Sequence, residues 1–329
     1  QYFVGILLSL ALYSCSSSVN SSTDSNNSIH KPKGLYSSSF GNESALDNTH
    51  VNGSLIRVSW SDIEPNKGSF DFSKIDQYLL SIQSRNLKWS LAVIAGGDSP
   101  DWLIDTLRVD YFEITRNNEP TKRIPKIWDP KVNERFTILA QALADKYAED
   151  ESLALVYVPQ MTVNGIEGHF NGVSTFDLKN VGLTAELWVN SVKETANIFA
   201  NAFVNKAIAV EVHDIMDDTS IPKQIITDLW NDSSLNKRVG AAIWWLSGKT
   251  TYQPKILDVL IDFPGNIYGQ AIGRSDQTTR FDNEDYTSLF TQAQTMGVRY
   301  IELWEYEFVN NTYPDEFAKF NIYAEETFE

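Results

Sequence analysis

The chain has 329 residues, 42% of them hydrophobic and nine of them tryptophan, which suits one large α/β barrel or two ordinary domains and excludes a disordered chain. Its net charge of −16 excludes a nucleic-acid partner, whose phosphates such a surface repels, and leaves a neutral ligand as the default. Cys15 is the single cysteine, so neither a disulfide framework nor a thiolate metal site can form.

Residues 1–14 are almost wholly apolar and lead into Leu12-Tyr13-Ser14-Cys15, after which Ser, Asn, Thr and Asp dominate to about residue 30. The apolar segment is too short to span a bilayer comfortably. The pattern resembles a bacterial lipoprotein signal. That resemblance implies a signal peptide over 1–15, a membrane-held lipid on Cys15, a disordered tether over 16–30, and a place at the outer membrane, cell surface or periplasm. From 31 to 329 no second linker, fixed repeat or long charge block interrupts the chain, which predicts a single domain and a monomer.

Apolar runs bounded by Gly, Pro, Asn and Asp place strands over Gly34–Phe40, Leu55–Trp60, Lys88–Ala95, Ala154–Met161, Ala207–His213, Val239–Leu246, Ile267–Ile272 and Arg299–Tyr306. Between them, apolar residues recurring at three and four predict helices over Ile75–Ser84, Val132–Tyr147, Ala185–Ala202, Ile221–Trp230, Pro254–Ile261 and Tyr286–Met296. Eight strands alternating with helices close a parallel (β/α)8 TIM barrel. The first unit is Ser-rich with little room for a helix; without it, an open doubly wound sheet is the alternative. The stretches Ile104–Lys126 and Phe170–Leu183 are long, polar and without periodicity, and read as loops.

In such a barrel the site lies at the carboxyl ends of the strands. Polar residues there are Arg57, Glu167, Glu211, His213, Asp214, Gln270, Arg274, Glu302 and Glu305. Strand alternation prunes them. On strand five, Ile208, Val210 and Val212 face the helices and turn Glu211 and His213 inward; on strand eight, Ile301 and Leu303 do the same for Glu302 and Trp304. A carboxylate beneath a Trp suits a sugar site, where the ring stacks on the pyranose face and the acid meets developing positive charge. Trp244 and Trp245 alternate faces, so one packs on helices and the other, taken as Trp245, serves as a platform.

Four segments carry a family resemblance: Arg57 to Asp76 with Trp60, Glu64-Pro65 and Gly68; Ala95-Gly-Gly-Asp-Ser-Pro100-Asp-Trp102-Leu; Ile127-Trp128-Asp-Pro130; and Gln160-Met-Thr-Val-Asn-Gly165-Ile-Glu167. In order and spacing they resemble the retaining (β/α)8 glycoside hydrolases of the β-galactosidase and endoglucanase clan, over roughly residues 34–310. The resemblance implies that Arg57 orients the nucleophile, that Trp60 and the Glu64-Pro65 turn shape the second loop, and that Glu167 is the acid/base carboxylate. Two departures stand out. Gly165-Ile166 replaces the clan's Asn before the acid/base Glu, which implies a rebuilt loop, and strand seven offers Gln270 where the clan has its nucleophile.

Glycoside cleavage needs two carboxyl groups flanking the bond. The expected catalytic pair is Glu167 with Glu302, with Glu211 in reserve. Arg57, Trp60, Trp102, His169, Glu211, His213, Trp245, Gln270, Arg274, Trp304 and Glu305 are the expected carbohydrate-binding residues. Neither cofactor nor metal is expected, since Glu211, His213 and Asp214 at one strand end are a weak ligand set. The function expected is hydrolysis of a β-linked oligo- or polysaccharide. The alternatives are a non-catalytic glycan-binding lipoprotein on a degenerate barrel, and a metal-dependent lyase or deacetylase using His213 and Asp214.

Overall fold

The computed structural model describes residues 1, 29–39, 41–115, 120–170 and 172–329. Apart from residue 1, the expected signal peptide lies outside the described residues, as do Cys15 and most of the expected tether. Eight parallel strands form a closed barrel. They are β1 (Gly34–Ser37), β2 (Gly53–Ser59), β3 (Lys88–Ile94), β4 (Leu153–Tyr157), β5 (Ala207–Glu211), β6 (Val239–Leu246), β7 (Ile267–Ala271) and β8 (Val298–Leu303). Each pairs with its chain neighbours, and β1 closes the ring between β8 and β2. Closure rules out the open sheet. The weak first unit is real but short: four residues of strand, then only a 3-10 turn over Glu43–Asp47.

Among the described residues, the seven helices of eight residues or more are α1 (Ser73–Gln83), α2 (Pro130–Tyr147), α3 (Ala185–Ala202), α4 (Ser220–Asn231), α5 (Pro254–Ile261), α6 (Ser288–Met296) and α7 (Pro314–Thr327). Local chemistry sets their starts and stops. Asp129 caps α2 by accepting from the Lys131 N–H ahead of Pro130, Thr184 caps α3 from the Leu187 N–H, and Gly297 ends α6 in the left-handed conformation. No helix among the described residues is long and apolar enough to cross a membrane.

Alternation along each strand divides the core into two layers. Leu35, Ile56, Val58, Val156, Val210, Ile243 and Ile301 face the helices. Tyr36, Leu55, Ala92, Tyr157, Ala209, Ala242, Tyr268 and Tyr300 fill the barrel. Four tyrosines fit there because their neighbours are small. A Cβ on Gly53 would fall 2.3 Å from the Tyr36 ring, and one on Gly240 2.9 Å from the Tyr268 ring.

Both aperiodic loops hold structure. Within the first, Tyr111–Ile114 pairs antiparallel with Lys122–Pro125; within the second lies a short helix, Thr175–Asn180. The hairpin matters for the site, because it carries Lys122 over the barrel mouth.

Candidate active site

The loop after β2 is a buried clasp. Trp60 is fully buried, stacks on Phe136 with centroids 5.0 Å apart, and donates from Nε1 to Glu64 at 2.8 Å. The fully buried Glu64 also accepts the Gly68 N–H at 2.8 Å and pairs with the Arg135 guanidinium of α2. Trp102 donates to the Glu64 carbonyl at 3.0 Å and lies under the Arg135 cation. Trp60 and Trp102 therefore shape the loop from beneath, and neither borders the cleft described below, contrary to the expectation that they bind sugar.

Glu302 points into the barrel, as alternation requires, but it is sealed there. Its Oε1 accepts Tyr300 at 2.5 Å, Tyr157 at 2.9 Å and Ser90 at 3.3 Å, and its Oε2 accepts the Gln270 amide at 2.6 Å. Burial pushes its carboxyl above the usual range, against these hydrogen bonds and the charge of Arg57, which favour the ionised form. Gln270, opposite Glu302 in register on β7, thus serves Glu302 and not an open subsite.

Glu167 stands ten residues past the end of β4 on a loop that ties itself down. The buried Gln160 amide donates to the carbonyls of Ile166 and Glu211, both at 2.8 Å, while Thr162 Oγ1 holds the Glu167 carbonyl at 2.8 Å. Gly165 is needed where the clan has another residue, because its φ is +74° and a Cβ would meet the Ala95 backbone at 2.6 Å. Ile166 plugs the barrel interior. These two positions are the physical content of the rebuilt loop.

Around Glu167 a polar chain runs back into the barrel. His169 Nε2 lies 2.8 Å from Glu167 Oε2, and the His169 ring stacks on His213 with centroids 4.0 Å apart. His213 Nδ1 lies 2.9 and 3.0 Å from the two Glu211 oxygens. Glu211 also accepts the N–H groups of Gly168 at 2.7 Å and Trp244 at 3.2 Å. Desolvation would raise the Glu167 carboxyl, but the His169 hydrogen bond and the nearby His213, His169 and Asn164 outweigh it and hold it below its usual value. Burial, then the charge of Glu167, push Glu211 well above the usual range, and burial takes His213 down to about 4.

An open cleft of about 380 Å³ lies over the ends of β2, β3, β4 and β6, bordered by Arg57, Asp98, Lys122, Asn164, Glu167 and Trp244. The Arg57 guanidinium sits 5.7 Å above the Trp244 ring. Of the five glutamates singled out in sequence, Glu64, Glu167, Glu211, Glu302 and Glu305, Glu167 alone borders it. Trp244, not Trp245, is turned into the barrel; Trp245 packs in the strand–helix layer, edge-on to His213 and Tyr252. A second hollow, of about 340 Å³, has His169, Asp214 and Tyr252 in its wall.

The remaining expected residues serve loops on the far side. Arg274 pairs with Asp276 at 2.8 Å, Glu305 accepts the N–H groups of Gly41 and Asn42 at 2.7 and 2.8 Å, and Trp304 donates to the Ala271 carbonyl at 3.0 Å. Sequence reasoning missed Asp98, Lys122 and Asn164. Asp98 carried a signal in Gly96-Gly97: Gly96 has φ +55° and a Cβ there would sit 1.8 Å from the Thr162 carbonyl, so the β3 and β4 loops touch backbone to backbone. Lys122, paired with Asp98 at 3.1 Å, arrives from the hairpin and left no periodic trace.

The beta-galactosidase model of glycoside hydrolase family 42 matches residues 45–161. Among solved structures, the catalytic domain of a beta-amylase from Paenibacillus polymyxa superposes with a TM-score of 0.63 at 10% identity, covering 92% of this chain and 99% of that one. A xylanase from Paenibacillus barcinonensis gives a TM-score of 0.53 at 10% identity over 83% of both chains. A beta-galactosidase from the psychrophilic Marinomonas ef1 gives 0.51 at 13% identity, over 82% of this chain and 53% of that one. No curated protein matches the sequence. The likeness to these structures is one of fold, a closed (β/α)8 barrel.

Proposed function

With a barrel of the glycoside-hydrolase kind as premise, we propose that this protein hydrolyses a β-linked oligo- or polysaccharide in the cleft over β2–β4, with Glu167 as the carboxyl group at the scissile bond. One observation carries this reading: Glu167, with 24% of its side chain accessible, opens into a cleft that Arg57 and the edge of the largely buried Trp244 also border. A sugar stacked on Trp244 would displace water from Glu167 and raise its pKa, which favours proton delivery to the leaving oxygen. His169 Nε2, 2.8 Å away, is placed to exchange that proton.

The second carboxyl group in this reading is Asp98, which borders the same cleft, whereas Glu302 is committed to its four donors below. Product analysis on a glycan panel tests the assignment. Glu167→Gln and Asp98→Asn should each abolish turnover, and Glu302→Gln should leave a folded enzyme with residual cleavage. Turnover surviving Glu167→Gln would refute it. Sealing of Glu302, with Gln270 on β7, favours a second reading, a non-catalytic glycan binder, under which all three variants merely shift affinity. A lipid on Cys15 holding the barrel at a bacterial surface belongs to the proposal too, and mass spectrometry of the membrane-bound protein decides it.

A further inference from the structure

Three potential metal donors converge between the cleft, which Glu167 borders, and the barrel interior, where His213 is buried. Glu167, His169 and His213 each offer one ligand atom, and all three atoms lie within 4.8 Å of one another. Zinc bonds of ~2.0–2.2 Å place neighbouring donors ~3–4 Å apart, so the partly accessible Glu167 and His169 have to turn toward His213 to close the set on one ion. Two imidazoles and one carboxylate are the donor set of three-ligand zinc sites, which leave a fourth position for water. The set differs from the Glu211, His213 and Asp214 combination weighed from sequence: Asp214 accepts from Thr219, and Glu211 stands behind His213.

The second observation is that backing. His213 Nδ1 meets the Glu211 carboxylate at 2.9 Å, the carboxylate–histidine arrangement that orients a ligating imidazole and leaves Nε2 to the metal. Glu211 is itself fixed by two backbone N–H groups, so His213 is preoriented, which lowers the ordering cost of binding. The His169 ring, stacked on His213, turns out of that stack to aim Nε2 at a shared ion.

We propose that Glu167, His169 and His213 bind one zinc ion, and that its occupation silences the cleft by taking the Glu167 carboxylate. The binding claim stands apart from the glycosidase reading; the silencing claim rests on it. Binding replaces the Glu167–His169 hydrogen bond with two bonds to the ion; a neutral imidazole bound through Nε2 carries its N–H on Nδ1, and no atom changes oxidation state.

Chelator-stripped full chain, dialysed against zinc chloride, should take up one ion per chain, and cobalt(II) in its place should give the visible absorption of a low-coordinate nitrogen and oxygen site. His169→Ala, at a partly accessible position, should weaken uptake about tenfold or more, as should Glu167→Gln, with circular dichroism confirming the fold. Absence of stoichiometric uptake, or uptake unchanged in His169→Ala, overturns the site. Zinc-free protein that cleaves glycans but binds no zinc would sink this inference and leave the hydrolase reading intact. Zinc uptake without cleavage in either form would do the reverse, and cleavage undiminished by bound zinc would overturn the silencing.

Discussion

Arg135→Met is the sharpest probe of the clasp that shapes the second loop. Glu64 is fully buried, Arg135 is its cationic partner, and Trp102 lies beneath the guanidinium at 5.0 Å. Removing one partner of a buried pair costs ~3–5 kcal/mol, because the other charge is left uncompensated, and loss of the cation–ring contact adds ~0.5–2 kcal/mol. Glu64 keeps the Trp60 and Gly68 donors, which pulls the expectation to the lower end, about 3–4 kcal/mol. With a urea slope of ~3 kcal/mol/M for a chain of this size, the midpoint should fall by about 1 M. In the double variant Glu64→Gln/Arg135→Met the buried charge is gone, so ~1–3 kcal/mol should return. A single-variant cost below ~1 kcal/mol, or a double variant no more stable than the single, would refute the view that charge compensation holds this loop.

Three further outcomes follow from the same geometry. Trp244→Ala should raise KM for the glycan tenfold or more, about 1–2 kcal/mol, with kcat less affected, whereas Trp245→Ala should act on stability; steady-state kinetics beside thermal unfolding separates them. Glu302 has a folded pKa raised above its unfolded value near 4.5, so the folded state binds the proton more tightly. Its contribution is fully present below pH 4.5 and is lost as pH rises through the folded pKa; urea midpoints against pH should therefore decline over that window, and less steeply in Glu302→Gln, in which the raised Glu211 and Glu307 remain. Gly96→Ala combines φ +55° with a Cβ 1.8 Å from the Thr162 carbonyl, so it should destabilise by ~1–3 kcal/mol and displace Asp98; a melting temperature equal to the parent's would contradict that contact.

Much of the scaffold was legible along the chain. The eight strands lie where apolar runs placed them, usually within one to four residues, and the long helices α2 and α3 match their three-and-four spacing. Side-chain direction was legible too, because a strand's period is two whatever surrounds it: Glu211 and Glu302 both point inward. In the leading motif, Arg57 borders the cleft, and Trp60 and Glu64 shape the second loop as the resemblance implies, but through a buried clasp with Arg135, 71 residues from Glu64, which no local pattern shows.

Local sequence determines which face a side chain takes; it carries no information about depth or company. Glu302 is sealed because Tyr157, Tyr300, Gln270 and Ser90 reach it from four different strands, and those distances exist only once the ring closes. Glu167, ten residues past the end of β4, gained its place from a loop pinned by Gln160 and Thr162, and its neighbours His213, Asp98 and Trp244 came from three other strand ends. Alternation chose the inward carboxylates, whereas barrel closure and loop packing chose which of them meets solvent, because burial and hydrogen bonding are properties of the assembled neighbourhood and not of the chain's period.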